Sequence, residues 1–148
     1  MLGFISKLFG NKSERDIKSI QPIVEKIKEE FSKLDGVSND ELRARTIAFK
    51  EKIKEGLAEI DAELSDFKSR IENNPDMDMT EKVGLYSQID KIEKDRNKEL
   101  EVILMEILPE AFAVIKETAR RLKENKTLEV TATQFDRDLA ARKNNVII

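Results

Sequence analysis

The sequence predicts an all-α protein: an elongated helical bundle with an antiparallel coiled-coil-like hairpin and little or no β-structure. Three observations carry this expectation. Apolar residues recur at three- and four-residue spacing along most of the 148 residues. Glu, Lys, Leu, Ile and Ala dominate, while glycine is limited to 5 positions, proline to 3 and aromatics to 5%, the composition of long helices rather than of a β-sandwich or a glycine-rich nucleotide fold. Residues 102–122 are apolar around most of a helical circumference, so that segment belongs inside something that amphipathic helices can cover.

Charge and chemistry narrow the function. The 27 basic and 30 acidic residues leave a net charge of −3, without the basic surplus that nucleic acid requires. With no Cys and no His, disulfides, thiol chemistry and the commonest metal ligand are excluded. No stretch approaches the ~20 apolar residues of a membrane span, and the apolar start is too short and broken for a signal peptide. A cytoplasmic protein with one modest core is expected.

Residues 1–12 form a short amphipathic element. Leu2, Ile5 and Phe9 share one helical face, Phe4 and Leu8 flank them, and Lys7 and Lys12 are its only charges. That pattern suits an interface with anionic lipid. It equally suits a terminal helix that docks on the domain or on another copy. Ser13 is placed to cap the next helix, along which Ile17, Ile20, Val24, Ile27, Phe31 and Leu34 repeat at helical spacing. Pro22 predicts a kink or restart near Gln21, and Gly36 the stop.

Ser38 with Glu41 three residues on is a capping box, opening a helix through Leu42, Thr46, Phe49 and Ile53. From Leu57 the spacing tightens to a heptad through Ile60, Leu64, Phe67 and Ile71, until Asn73, Asn74 and Pro75 break it. Thr80 is the expected cap of a return helix carrying Leu85, Ile89, Ile92, Leu100, Ile103 and Ile107, with Arg96 interrupting the seam. Two seams joined by a polar turn predict the antiparallel hairpin. It suits a partner-binding arm or a solvated strut, and the scatter of its charges favours the strut. Pro109 predicts a restart or a kink.

Beyond it, Arg120, Arg121, Lys123 and Lys126 gather at a helix C-terminus, where they compensate the dipole; a phosphate or acidic-partner site is the weaker alternative. Residues 127–133 suit a short strand or an extended linker. Thr133 or Thr131 then caps a last helix, with Phe135 and Leu139 expected to face inward. Val146, Ile147 and Ile148 form a strand-like tail with nothing to pair with, the expected mark of a chain cut from a longer protein.

Three separated stretches resemble one family. Lys7-Leu8-Phe9-Gly10, then Leu34 with Ser38-Asn39-Asp40-Glu41-Leu42-Arg43-Ala44-Arg45-Thr46 and Phe49-Lys50, then Leu108-Pro109-Glu110-Ala111-Phe112-Ala113-Val114 with Lys116-Glu117 and Arg120-Arg121, are similar in order and type to the start of SecA, the bacterial preprotein translocase motor. The resemblance covers roughly residues 1–55 and 101–124; the intervening hairpin looks like an insertion. It implies a protein that couples ATP hydrolysis to threading unfolded secretory proteins through the membrane channel. ATP and magnesium are implied as cofactors of the parent. The Sec translocon channel, preproteins and acidic lipids are implied as partners, and the inner face of the plasma membrane as the place of peripheral association. The implied membrane- and channel-proximal residues are Leu2, Phe4, Ile5, Lys7, Leu8, Phe9 and Lys12.

No catalytic, cofactor or metal site can be assembled. There is no G-x-x-x-x-G-K-[ST] phosphate loop, and Gly10-Asn11-Lys12-Ser13 lacks its upstream glycine and adjacent Gly-Lys. Asp136 and Asp138 point in different directions on a helix. The expected organisation is an amphipathic helix over 1–12, N-terminal helices over 13–55, the inserted hairpin over 56–108, and helices over 109–148 leading toward an absent nucleotide-binding domain. The expected function is the inactive N-terminal fragment of a SecA-like motor, with self-association as one way to cover apolar surface. The alternative is a non-catalytic helical adaptor or scaffold that binds a partner through its hairpin. A weaker third reading is a peripheral membrane-binding module using residues 1–12.

Overall fold

A computed structural model describes residues 12–146. Four helices account for most of them: α1 Lys12–Ser32, α2 Asn39–Glu72, α3 Met79–Glu124 and α4 Gln134–Arg142. Among the described residues there is no strand, and the all-α expectation holds. At 1.5 Å per residue α2 is about 51 Å long and α3 about 69 Å. α2 packs along α3, α1 packs along α3, and α4 approaches no other helix closely.

The ion pairs fix the directions. Arg45 meets Glu110, Lys52 meets Glu106, Asp61 meets Arg96 and Lys68 meets Glu93, so numbers fall on α3 as they rise on α2 and the pair is antiparallel. α1 runs the other way, parallel to α3. Ile23 and Lys26 lie beside Val102 and Met105, whereas the Lys116 ammonium sits 4.1 Å from the Phe31 ring centre further on.

The core is three clusters strung along α3. Leu34, Leu42, Ala113 and Val114 join α1, α2 and α3 at one end. Leu57, Ile103 and Ile107 pack in the middle. Ile71, Leu85 and Ile89 close the hairpin end, with Leu64, Phe67 and Met77 half-buried around them. Arg96, which interrupts the seam, lies between the second and third clusters and pairs across the helices with Asp61. Gly56 allows the helices to come close in the middle: a Cβ there would sit 2.6 Å from Ile103 Cδ1.

Several local expectations are confirmed and others revised. Ser38 and Glu41 form the capping box, the carboxylate accepting from Ser38 N–H at 2.8 Å and the hydroxyl accepting from Glu41 N–H at 3.2 Å. Gly36 takes φ +75° in the turn after α1, a conformation that costs a side chain about 1 kcal/mol or more. Ser13 lies within α1 rather than capping it. Asp78, not Thr80, caps α3, accepting from the backbone N–H groups of Thr80 and Glu81; a carboxylate at that position also suits the helix dipole. Neither proline restarts its helix: Pro22 lies inside α1 and Pro109 inside α3. Pro109 deprives the Met105 carbonyl of its usual donor, but buried Ile103 and Ile107 before it and Ala113 and Val114 after it hold both sides in register. Ile17 and Ile20 are exposed, because α1 meets α3 only in its later part. Phe135 is exposed as well, since no helix packs along α4.

Leu57→Ala, at the centre of the middle cluster, is expected to lower unfolding free energy by about 2–5 kcal/mol. Ile17→Ala should change it by less than about 0.5 kcal/mol. Urea titrations followed by circular dichroism would check both.

Candidate functional site

The residues singled out for a membrane-proximal role, Leu2, Phe4, Ile5, Lys7, Leu8 and Phe9, lie outside the described residues, as does the side chain of Lys12. Among the described residues no group of acidic side chains is arranged to hold a metal ion, and no helix is long and apolar enough to cross a membrane. The structure concentrates its unusual chemistry at the far end of α3 instead.

Glu117 and Arg121 face the α1–α2 connection from α3. Glu117 is 2% exposed and Arg121 8%, so both charges need partners. Arg121 uses its whole planar fork. Nε donates to Glu117 Oε1 at 2.7 Å, Nη1 to Asn39 Oδ1 at 2.7 Å and Nη2 to the Val37 carbonyl at 2.6 Å. Arg120 donates to both oxygens of Glu117, at 2.8 and 2.7 Å, and reaches Glu124 at 2.7 Å. No buried side-chain polar atom among the described residues lacks a partner. The hydrogen bonds from Arg120, then those from Arg121, pull the Glu117 carboxyl down to about 2 against the opposing effect of burial.

The clamp continues into a strap. Residues 125–133 form neither helix nor strand and pass the start of α2, resolving the strand-or-linker choice in favour of a linker. Asn39, which accepts from Arg121, donates its own Nδ2 to the Glu129 carbonyl at 2.9 Å. Asp40 accepts from the Thr131 N–H at 2.7 Å and from the Thr131 hydroxyl, contacts that lower its carboxyl pKa. Arg43 donates to Asp136 at 2.7 Å, and Asp136 accepts from the Thr133 N–H at 2.8 Å. Arg43 is the largest influence holding the Asp136 carboxyl well below the usual carboxylate range. Asp138 accepts from Gln134, so the two aspartates act separately.

Sequence reasoning treated Arg120 and Arg121 as dipole compensation and missed the clamp. The signal was present: Glu117 stands three and four residues before them, the spacing of helical ion pairs. The lateral partners, Val37 and Asn39, are some eighty residues away and carry no local signal.

Beside the clamp α3 exposes an apolar stripe. Leu104, Phe112, Ile115 and Leu122 are exposed and share a side of the helix with half-buried Leu108 and with Ala119. Val114, by contrast, is buried against Leu34 and Leu42.

Arg121→Ala is expected to cost about 3 kcal/mol, the lower end for breaking a buried pair because Arg120 still serves Glu117. Arg121→Lys should lose most of the same stability, since a point charge cannot serve three acceptors. Glu117 is depressed on folding, so its contribution is complete above about pH 4.5 and is lost as pH falls toward about 2. Glu117→Gln should flatten the pH dependence of the urea midpoint in that window.

Comparison with known proteins supplies the context. The family model described as SecA DEAD-like domain matches residues 5–140. The chain is 51% identical over 148 residues to the protein translocase subunit SecA of Cytophaga hutchinsonii, covering all of this chain and 13% of that protein. It is 50% identical over 143 residues to the same subunit of Flavobacterium psychrophilum, covering 96% of this chain and 13% of that protein. For the subunit of Parabacteroides distasonis the values are 47% over 139 residues, 94% and 12%. The chain therefore spans about one eighth of the length of these relatives. No solved structure matches it.

Proposed function

This chain belongs to the SecA family of protein translocase subunits, and from that premise we propose that it forms the helical N-terminal region of an ATP-driven motor. The whole protein threads unfolded preproteins through the Sec channel of the bacterial plasma membrane. ATP and magnesium belong to the rest of that protein, and the region itself hydrolyses nothing. The Sec channel and preproteins are partners of the whole. The protein is cytoplasmic and associates peripherally with the inner face of the membrane, where Leu2, Phe4, Ile5, Lys7, Leu8, Phe9 and Lys12 meet acidic lipid.

In this reading the region is a scaffold for the motor domain. The observation that carries it is the stripe of Leu104, Phe112, Ile115 and Leu122, exposed on a helix whose other side is core. Contiguous apolar surface of this kind marks an interaction site. The relatives are long enough to supply a domain that covers it. In the isolated region the same surface favours self-association. The clamp supports the scaffold role, because it holds α3 against the α1–α2 connection beside the stripe.

Phe112→Asp separates the readings. In the isolated 148-residue chain it should leave the melting temperature within about 2 °C of wild type, as a surface change does. In the full-length translocase it should lower the melting temperature and depress ATP-driven translocation several-fold. An unaffected full-length protein would mean that the stripe is not covered by the motor domain. For the membrane role, residues 1–148 should co-float with anionic liposomes more than residues 13–148. Equal flotation would rule out a lipid contact by residues 1–12.

A further inference from the structure

The first half of α1 stands beside α3 without filling the space between them. Ile23, Val24 and Ile27 are half-buried, and Ile20 and Ile17 continue the same side of α1 at three- and four-residue spacing. Ile20 is nevertheless 51% exposed and Ile17 59%. The facing side of α3 is open as well, with Val102 53% exposed and Met105 51%. Between Ile23 on one wall and Val102, Met105 and Pro109 on the other lies a groove of about 570 Å³.

Charge does not choose the occupant of this groove. Lys26 and Lys98 line it together with Glu101 and Glu106, so a strongly basic or strongly acidic partner gains nothing over a neutral one. Apolar surface and proximity decide instead. Residues 1–11 directly precede α1 and lie outside the described residues. Leu2, Ile5 and Phe9 supply one apolar face, flanked by Phe4 and Leu8, and Lys7 is the only charged side chain among the eleven. Gly10 and Asn11, between that face and Lys12, are residue types that reverse a chain. Lys12 to Ile23 spans about 17 Å of α1, and nine helical residues span about 14 Å. A segment reversed at Gly10 therefore brings its first residues alongside Ile20, one turn from Ile23. Being tethered, it meets the groove at an effective concentration on the order of mM.

We propose that residues 1–11 fold back along α1 and seat their apolar face in the groove between α1 and α3. Ile5 lies on Ile17, and Met1 and Leu2 lie on Ile20, Val102 and Met105. The segment closes the open end of the bundle from within the chain. The same side chains serve the lipid contact of the proposed function, so the seated and lipid-bound segments exclude each other. That exclusion rests on the lipid reading, whereas the seating does not.

The chain has no tryptophan, so Phe4→Trp places a single indole in the segment. In the 148-residue chain, without lipid, its emission should lie at shorter wavelength than in a peptide of residues 1–11 with the same substitution. Acrylamide should also quench it less. Ile20→Asp and Met105→Asp should each return the emission to the position seen in the peptide. Both residues are about half exposed, so neither change should alter the circular dichroism. They stand on different helices, so damage at one leaves the other as an independent test. Ile115→Asp, on the stripe beside the clamp, should leave the emission shifted. Peptide-like emission with the groove intact, a shift that survives both groove substitutions, or loss of the shift in Ile115→Asp would overturn the proposal. So would a shift that grows with protein concentration, which would make the occupant a second copy. Liposome flotation is read separately, so failure of the seating and failure of the lipid contact are distinguishable.

Discussion

The guanidinium of Arg121 is the contact on which the arrangement of the helices depends. Buried, it touches three separate parts of the chain: its own helix through Glu117, the α1–α2 connection through Val37, and the start of α2 through Asn39. The apolar cluster below it, Leu34 with Leu42, Ala113 and Val114, brings the helices together but sets no angle between them. A planar fork with fixed donor directions does. The strap inherits that position. Asn39 passes the register on to Glu129, and Asp40 and Arg43 extend it to Thr131 and Asp136. Remove the fork and the later residues have nothing aligned to bind.

Much of the fold was legible from local chemistry. The capping box at Ser38, the stop at Gly36, the broken seam at Arg96 and the turn at Asn73 to Pro75 each declare themselves within a few residues. What was illegible depended on distant partners. A proline is read as a break because its ring removes a donor, yet Pro109 sits where core contacts on both sides outweigh that loss. Phe135 reads as a core residue by spacing, and is exposed because α4 meets α2 through the Arg43–Asp136 pair but packs along no helix. The clamp was half visible, as Glu117 ahead of two arginines, and half hidden in the α1–α2 connection. Two of the motifs that made the family legible, around Ser38 to Thr46 and Leu108 to Arg121, fall on the segments that build the clamp end.

The two ends of α3 differ in what they expose. At the clamp end the open face is aliphatic and aromatic: Leu104, Phe112, Ile115 and Leu122. At the tip it is a short stripe of Met79, Val83 and Tyr86. A surface that stays covered within one protein can be purely apolar.

The continuity of α3 through Pro109 makes the two ends parts of one lever. The helix is about 69 Å long, anchored at one end by hydrogen bonds with strict directions and held at the other by α2, through Ile71, Leu85 and Ile89. A tilt of about 5° at the anchored end would sweep the tip through about 6 Å, from that length alone. Conversely, a load on the tip acts on Arg121 with the advantage of the whole arm. Had the helix restarted at Pro109, a hinge would have absorbed such a displacement midway. As built, a push at Met79 and a strained hydrogen bond at Val37 are the same mechanical event.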